Sequence, residues 1–305
     1  MKWDFATLDV WSLKCCLEAQ GSAVLPTFLG STLRGTFGHA FKAAACVLEP
    51  ANCRQGCGSE LCAYGYGFET AIPAHRSATG SHEDLPVPFV LIPPPLDSPV
   101  ERRYTRGDQL EFTLRWFGRG TKLSEFVKGA VNDLGRYGLG AQRTPFTVTD
   151  MEESQVKTLA DMVAERLPAL SRPETIRLRF LTPARIRLGG KLQSSVNFEL
   201  LVRNLGRRFI LLNQAHGRNG SQPAWKDLQP AVARIETLDN RLVWNDLERY
   251  SNRQRTRMKL GGFLGDISFG GPMLDSFLPL LTAGEILHVG TSTAFGLGQL
   301  RILDR

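Results

Sequence analysis

The stretch FGLGQLRI, Phe295–Ile302, sets two glycines close together directly before a strand-like run, and it follows His288, Val289, Gly290, Thr291, Ser292, Thr293 and Ala294. Glycines so placed mark backbone that must come close to something. The same plan occurs half a chain earlier. In EFVKGAVNDLGRYGLGAQRTPFTV (125–148) a helical pattern from about Ser124 to Leu134 leads to Tyr137-Gly-Leu-Gly140 and then to a strand-like FTV. In LDSFLPLLTAGEILHVGTSTAFGLGQLRIL (274–303) a helical pattern from about Leu274 to Leu281 leads, through a linking strand, to Phe295-Gly-Leu-Gly298 and a strand. Two copies of one supersecondary unit indicate duplicated domains.

The two halves also open alike. TLDVWSLKCCLEA (7–19) alternates as a strand and is followed by Pro26 and a helical run from Thr27 to about Cys46. IRLRFLTPARIRL (176–188) alternates too and precedes a helical run from about Ser195 to Leu212. Strand, helix, strands, helix, strand in each half is the order of a ferredoxin-like domain, an antiparallel sheet with helices on one face. The expected class is α+β, with tandem ferredoxin-like (RRM-like) domains. The first spans 1–153, a linker helix ended by Pro168 and Pro173 spans 154–174, and the second spans 175–305.

With 305 residues, 42% hydrophobic and 22% charged, the chain can bury full cores in two domains. Its apolar runs, such as FVLI at Phe89–Ile92, are too short to span a membrane. Its opening MKWDFATLDV carries acidic residues unlike a signal peptide, so a cytoplasmic protein with no membrane partner is expected. The net charge of +7 is uneven: residues 1–153 hold 15 Lys+Arg against 17 Asp+Glu, whereas 154–305 hold 22 against 13, with 18 Arg and 4 Lys. Arginine's planar fork suits phosphates and base edges, so the second half points to nucleic acid.

Within that half, Arg253, Arg255, Arg257 and Lys259 alternate with other residues in SNRQRTRMKL. On a strand they form one row at about 6.6 Å spacing, able to track a phosphate backbone. Arg177, Arg179, Arg185 and Arg187 alternate with apolar residues, giving one face to the core and leaving an arginine face to bind. Arg203, Arg207 and Arg208 follow on a helix and read as a solvated face. Gly290, Gly296 and Gly298, with the hydroxyls of Thr291, Ser292 and Thr293, offer unhindered backbone N–H groups suited to phosphate oxygens.

GSTLRGTFGHAFK, CAYGYGFE, RYGLGAQR, RLRFLTPARIRLGGKL, ERYSNRQRTRMKLGG and LHVGTSTAFGLGQL, in that order along nearly the whole chain, resemble the CRISPR-associated endoribonucleases that process repeat RNA. These form the "Cas six" family of the RAMP (repeat-associated mysterious protein) superfamily. The resemblance implies paired ferredoxin-like domains and a C-terminal glycine-rich loop that contacts RNA. It also implies cleavage of precursor CRISPR RNA without a metal, by 2′-hydroxyl attack, leaving a 2′,3′-cyclic phosphate and a 5′-hydroxyl.

Such cleavage needs proton transfer near neutrality, for which histidine is suited. Of His39, His75, His82, His216 and His288, the first lies on the first expected helix with Lys42 three residues on, so the two share a face as base and charge stabiliser. The family often places its catalytic histidine on this helix. His216 reads as the counterpart of His39 in the second half, and His288 as a strand residue close to the glycine loop. Tyr250 and Tyr137 are further proton-transfer candidates.

Cys46, Cys53, Cys57 and Cys62 in CVLEPANCRQGCGSELC form a Cys-rich insertion in the first domain (about 46–62), four thiols suited to a structural zinc or an iron–sulfur cluster, with no cofactor expected for catalysis. Cys15 and Cys16 read as ordinary core and surface residues. The expected partners are CRISPR repeat RNA or crRNA and other CRISPR-associated subunits. Two alternatives stay open: a non-catalytic RAMP subunit that binds or caps crRNA in an interference complex, and a zinc protein binding structured RNA elsewhere.

Overall fold

The computed structural model describes residues 2–46, 62–68, 85–96, 101–170, 174–251 and 256–303. Two units emerge: an N-terminal unit of Leu8–Lys157 with Leu211–Arg218, and a C-terminal unit of Met1–Thr7, Thr158–Ile210 and Asn219–Arg305.

The N-terminal unit runs β1 (Asp9–Ala19), β2 (Ala23–Leu25), α1 (Gly30–Ala45), α2 (Ala63–Phe68), β3 (Phe89–Ile92), β4 (Arg102–Tyr104), β5 (Gln109–Phe117), α3 (Ser124–Leu134), β6 (Phe146–Glu153) and β7 (Lys157–Thr158). Its main sheet is ordered β3-β5-β1-β6, with β7 also on β1, and the pairs β3·β5, β1·β5 and β1·β6 are antiparallel. Strand period explains the core: Leu13, Cys15, Leu17 and Ala19 point inward, while Lys14 is exposed. Burial lifts the Cys15 thiol to about 12, an inert core side chain as expected. Phe37 and Phe41 of α1 meet Phe68, Phe89 and Trp116 at centroid distances of 5.6–6.3 Å, and Phe89 in turn meets Phe68 and Trp116 at 5.2 and 4.9 Å. This aromatic cluster fastens α1 and α2 to the sheet.

The C-terminal unit repeats the plan with β8 (Thr175–Ala184), β9 (Arg187–Leu188), β10 (Lys191–Leu192), α5 (Phe198–His216), α6 (Trp225–Val232), β11 (Glu236–Asn240), β12 (Val243–Asn245), β13 (Glu248–Ser251), β14 (Thr256–Lys259), β15 (Gly262–Gly270), α7 (Leu278–Leu287) and β16 (Leu300–Leu303), preceded by α4 (Leu159–Arg166). The sheet order β11-β15-β8-β16 is the same permutation as in the N-terminal unit, again antiparallel throughout. The chain is therefore α+β with tandem ferredoxin-like units. Ile176, Leu178 and Phe180 of β8 alternate inward with exposed Arg177 and Arg179. α5 and α7 cover the apolar face: Phe198 meets Phe269 at 5.1 Å, and Gly284 lies against Leu300 and Leu205.

Three details depart from the sequence expectation. The residues after Leu281 are helical rather than a linking strand, because α7 is buried on nearly every side, with Glu285 its one charge, and has no polar face to delimit it. α4 is short, begins at a Thr158–Asp161 capping box and sends Arg166 to Glu285 of α7 (Nε–Oε2 3.4 Å), so it is built into the C-terminal unit. The first residues also join that unit, where Trp3 and Phe5 meet Phe209 of α5 at 5.9 and 5.0 Å.

The glycine question has a structural answer: the loop after α7 approaches the end of β8. Gly290 and Gly298 have φ of +80° and +71°; a Cβ on the first would strike the Arg185 carbonyl, and on the second the Val289 carbonyl. Gly298→Ala is therefore expected to destabilise by about 2 kcal/mol or more, through left-handed backbone strain and the clash. Gly129, in mid-α3 with open space around it, is expected to gain about 0.5–1 kcal/mol as Ala. Urea unfolding of both variants reads the contrast.

Candidate functional site

α1 buries Leu33, Phe37, Ala40 and Phe41, which leaves His39 on its exposed side. Gly38 of this helix is tight against Phe68, where a Cβ would lie 2.8 Å from the ring. Lys42, one turn beyond His39, is half-buried with its Nζ 5.7 Å from the centre of the Tyr64 ring on α2. An imidazole and an ammonium thus share one side of α1, with the imidazole open to a large ligand.

The other histidines are placed differently. His216 is the last residue of α5 and fully buried in the N-terminal unit. Its Nε2 lies 2.7 Å from the Pro86 carbonyl, which only accepts, so Nε2 carries the proton and Nδ1 accepts from the Tyr66 hydroxyl at 2.7 Å. It is a structural pin and not a counterpart of His39. His288 is the capping residue of α7 rather than a strand residue; it is fully buried at φ +61°, with Nδ1 3.2 Å from the Leu297 carbonyl. His75 and His82 lie outside the described residues.

The arginine face of β8 is not a row of free charges. Arg179 binds Asp266 of β15 through both edges (Nε–Oδ1 2.6 Å, Nη2–Oδ2 2.9 Å), and Arg177 donates to the same Oδ2. Arg185 donates to the Gly261 carbonyl (2.7 Å) and Arg187 to that of Gly190 (2.8 Å). Burial, and then the neighbouring Arg187 charge, lowers the Arg185 pKa. On α5, Arg203 pairs with Glu199 (2.8 Å) and lies 3.6 Å from the Trp225 ring centre. Arg207 is exposed, but Arg208 is buried, bonded to the Leu287 carbonyl (3.0 Å) and pushed by burial down to about 9, so the three do not form one solvated face.

The expected strand of basic residues exists over Thr256–Lys259 as β14, paired with β13 so that Arg257 stands opposite Tyr250 and Lys259 opposite Glu248. Lys259 is exposed, 3.6 Å from Asp246. Arg253 and Arg255 lie outside the described residues.

The glycine loop uses much of its own hydrogen bonding. Gly296 N–H donates to Thr293, Gly298 N–H to Pro183 and Thr291 N–H to Arg185, while the Thr182 hydroxyl donates to the Gly296 carbonyl. This corrects the expectation of unhindered amides: those of Gly296 and Gly298 are engaged within the unit. Gly138 and Gly140 also have positive φ, +71° and +77°, but ψ is 154° at Gly138 and 11° at Gly296, so the repeat seen in sequence is one of glycine placement and not of backbone conformation.

Of the four insertion cysteines, Cys46 follows α1 and Cys62 precedes α2, where its sulfur accepts from the Gly65 N–H at 3.3 Å. Cys53 and Cys57 lie outside the described residues, and no group of three or more metal-ligating side chains occurs among the described ones.

The family model for CRISPR-associated endoribonuclease Cas6 matches residues 178–300, and the AF_1859_N model, an N-terminal domain, matches residues 8–174. The C-terminal half of the chain is thus Cas6-like in sequence. An uncharacterized protein of Archaeoglobus fulgidus is 25% identical over 290 residues, 91% of this chain and 92% of the relative. A Thermus thermophilus Cas6 solved as a product complex superposes with a TM-score of 0.58 at 15% identity, covering 98% of this chain and all of that one. The Cas6-bearing chain of a partial Cas6-RT-Cas1–Cas2 complex gives 0.61 at 14% identity, covering 98% of this chain and 46% of that chain. At such identity these structures establish the shared fold.

In this Cas6-like half the residue that sequence reasoning passed over is Asp266. Its signal was a lone carboxylate inside the strand GGFLGDISFGG, where an acid sparsely exposed to water requires a cationic partner. Hydrogen bonds from Arg179 and Arg177 outweigh desolvation and bring its carboxyl down to about 2. A depressed carboxylate pKa contributes stability that is full above about pH 4 and fades as pH falls towards 2. The stability difference between wild type and Asp266→Asn is therefore expected to be constant from pH 7 to 5 and to shrink below pH 4, read by denaturant unfolding at each pH.

Proposed function

We propose that this chain is an endoribonuclease that binds CRISPR repeat RNA and cuts precursor crRNA without a metal, with His39 at the reacting atoms. The observation that carries the reading is elimination by burial: of the three histidines among the described residues, His216 and His288 are fully buried and bonded to carbonyls, and only His39 is exposed. The match of residues 178–300 to an endoribonuclease family model supports the reaction class.

In this reading His39 takes the proton of the 2′-hydroxyl. The 2′-oxygen bonds to phosphorus, the bond from phosphorus to the 5′-oxygen breaks, and that oxygen takes up a proton. The products carry a 2′,3′-cyclic phosphate and a 5′-hydroxyl. Lys42 lies one turn away to offset charge gathering on the phosphate. The exposed cations of the C-terminal unit and the loop around Gly290, Gly296 and Gly298 bear on the RNA backbone. Product guides pass to other CRISPR-associated subunits.

The test is repeat-containing RNA incubated with protein in EDTA, beside His39→Ala and an RNA with 2′-deoxyribose at the cut. Cleavage at one site is expected to survive EDTA, to fall about 100- to 10,000-fold in the variant and to vanish with the deoxy RNA. Binding without cleavage by wild type would overturn the enzyme reading in favour of a subunit that holds guide RNA.

A further inference from the structure

The open face of the C-terminal sheet carries an arrangement that a solvated charge row does not explain. Both oxygens of Asp266 are engaged by Arg179 and Arg177, and the carboxylate side chain is only 10% exposed. The two arginine side chains remain 47% and 46% exposed. Arg179 spends Nε and one Nη2 proton on the carboxylate, which leaves Nη1 and the second Nη2 proton outward; Arg177 is held through Nη2 and keeps Nε and Nη1. Each is a planar fork fixed at one edge and open at the other.

Across β8 from this pair, register places Arg301 of β16 directly opposite Arg179. Directly opposed residues share a sheet face with Cβ atoms about 4.5–5.5 Å apart. Arg301 is exposed between buried Leu300 and Ile302, and no ion pair holds it among the described residues. Three arginines and one aspartate give the patch two net positive charges. The helices lie on the opposite face: Phe198 of α5 and Gly284 of α7 lie against Phe269 and Leu300.

We propose that Asp266 is a positioning residue that holds Arg177 and Arg179 as a preformed phosphate clamp, completed by Arg301, which grips the RNA backbone on the open face of this sheet. The proposal rests on the RNA-binding part of the function proposed above, and adds the residues that do the gripping. Pre-set guanidiniums lose little rotamer freedom when a phosphate arrives, and their outer edges match two phosphate oxygens. The clamp reads backbone, so it fixes the RNA strand in place without choosing its sequence.

Simple charge counting and positioning predict opposite signs for one variant. Asp266→Asn raises the net charge of the face by one; if the aspartate merely neutralises arginine, RNA binds more tightly and with steeper salt dependence. If it positions them, binding weakens although charge was gained. The experiment measures, by fluorescence anisotropy over a series of salt concentrations, binding of a fluorescein-labelled CRISPR repeat RNA carrying 2′-deoxyribose at the cut site. The proteins are wild type, Asp266→Asn and Arg301→Ala, each with its thermal midpoint.

Expected are a threefold or larger loss of affinity for Asp266→Asn, marked as about half a log unit above ordinary scatter, and for Arg301→Ala a loss of affinity with a salt slope shallower by about 0.7. Tighter binding by Asp266→Asn, or unchanged affinity and slope for Arg301→Ala, overturns the clamp. Should Asp266→Asn not fold, the surface variant Arg301→Ala decides. Wild type that binds this RNA but does not cut the unmodified repeat removes the enzyme reading and leaves the clamp standing; wild type that cuts the unmodified repeat, with both variants binding unchanged, removes only the clamp. Absence of RNA binding by wild type removes both.

Discussion

Much of the C-terminal unit depends on a close approach of backbone to backbone. The loop that closes this unit lies so near the end of β8 that the Val289 and Gly298 backbones exchange contact, with Val289 N–H donating to Gly298 at 2.9 Å and Gly298 N–H to Pro183 at 3.1 Å. No side chain fits between them. Because the loop is tied to β8, the last strand is delivered in register: Leu181 N–H donates to Gln299, Leu300 lies opposite Phe180 and Arg301 opposite Arg179. A slip of one residue would turn Arg301 into the core and Leu300 and Ile302 to water. Glycine, sheet register and surface charge are one chain of causes.

The electrostatics follow from that register. A carboxylate with little exposure would be expensive alone, and the two arginines that reach it are themselves half-exposed, so the desolvation falls on one ion rather than three. Arg208 is the contrasting case. It is buried, its Nε ends on the Leu287 carbonyl at the C-terminus of α7, and the partial negative charge of a helix end is the compensation available there. One unit therefore holds arginines under two regimes: two kept by a carboxylate with their outer edges in water, one kept by a helix terminus away from it. Only the first kind can meet a ligand.

The fold was legible because both signals that specify it are local. Alternation in TLDVWSLKCCLEA and IRLRFLTPARIRL marks the central strands, and the duplicated aromatic-Gly-Leu-Gly turn marks the last crossover of each unit. The end of α7 was not legible, since LPLLTAGEIL has a single charge, Glu285, and no polar face from which to count a period. The site was legible by residue type and less so by environment. His39 could be picked as a helical surface residue. That His216 and His288 are buried and carbonyl-bound depends on Pro86, Tyr66 and Leu297, and for His216 these partners lie more than a hundred residues away. The pairing of Arg177 and Arg179 with Asp266 likewise joins residues almost ninety apart in the chain. Alternation shows which way an arginine points and is silent about what waits there.

In the proposed function His39 on α1 faces the reacting phosphate. The most direct measurement is a crystal structure of the protein bound to repeat RNA with 2′-deoxyribose at the cut site. The expected result is the His39 imidazole within about 4 Å of the 2′-carbon of the nucleotide preceding the scissile phosphate, close enough to have taken the missing hydroxyl's proton. An RNA whose scissile phosphate lies away from α1, against another side chain able to transfer a proton, would contradict it.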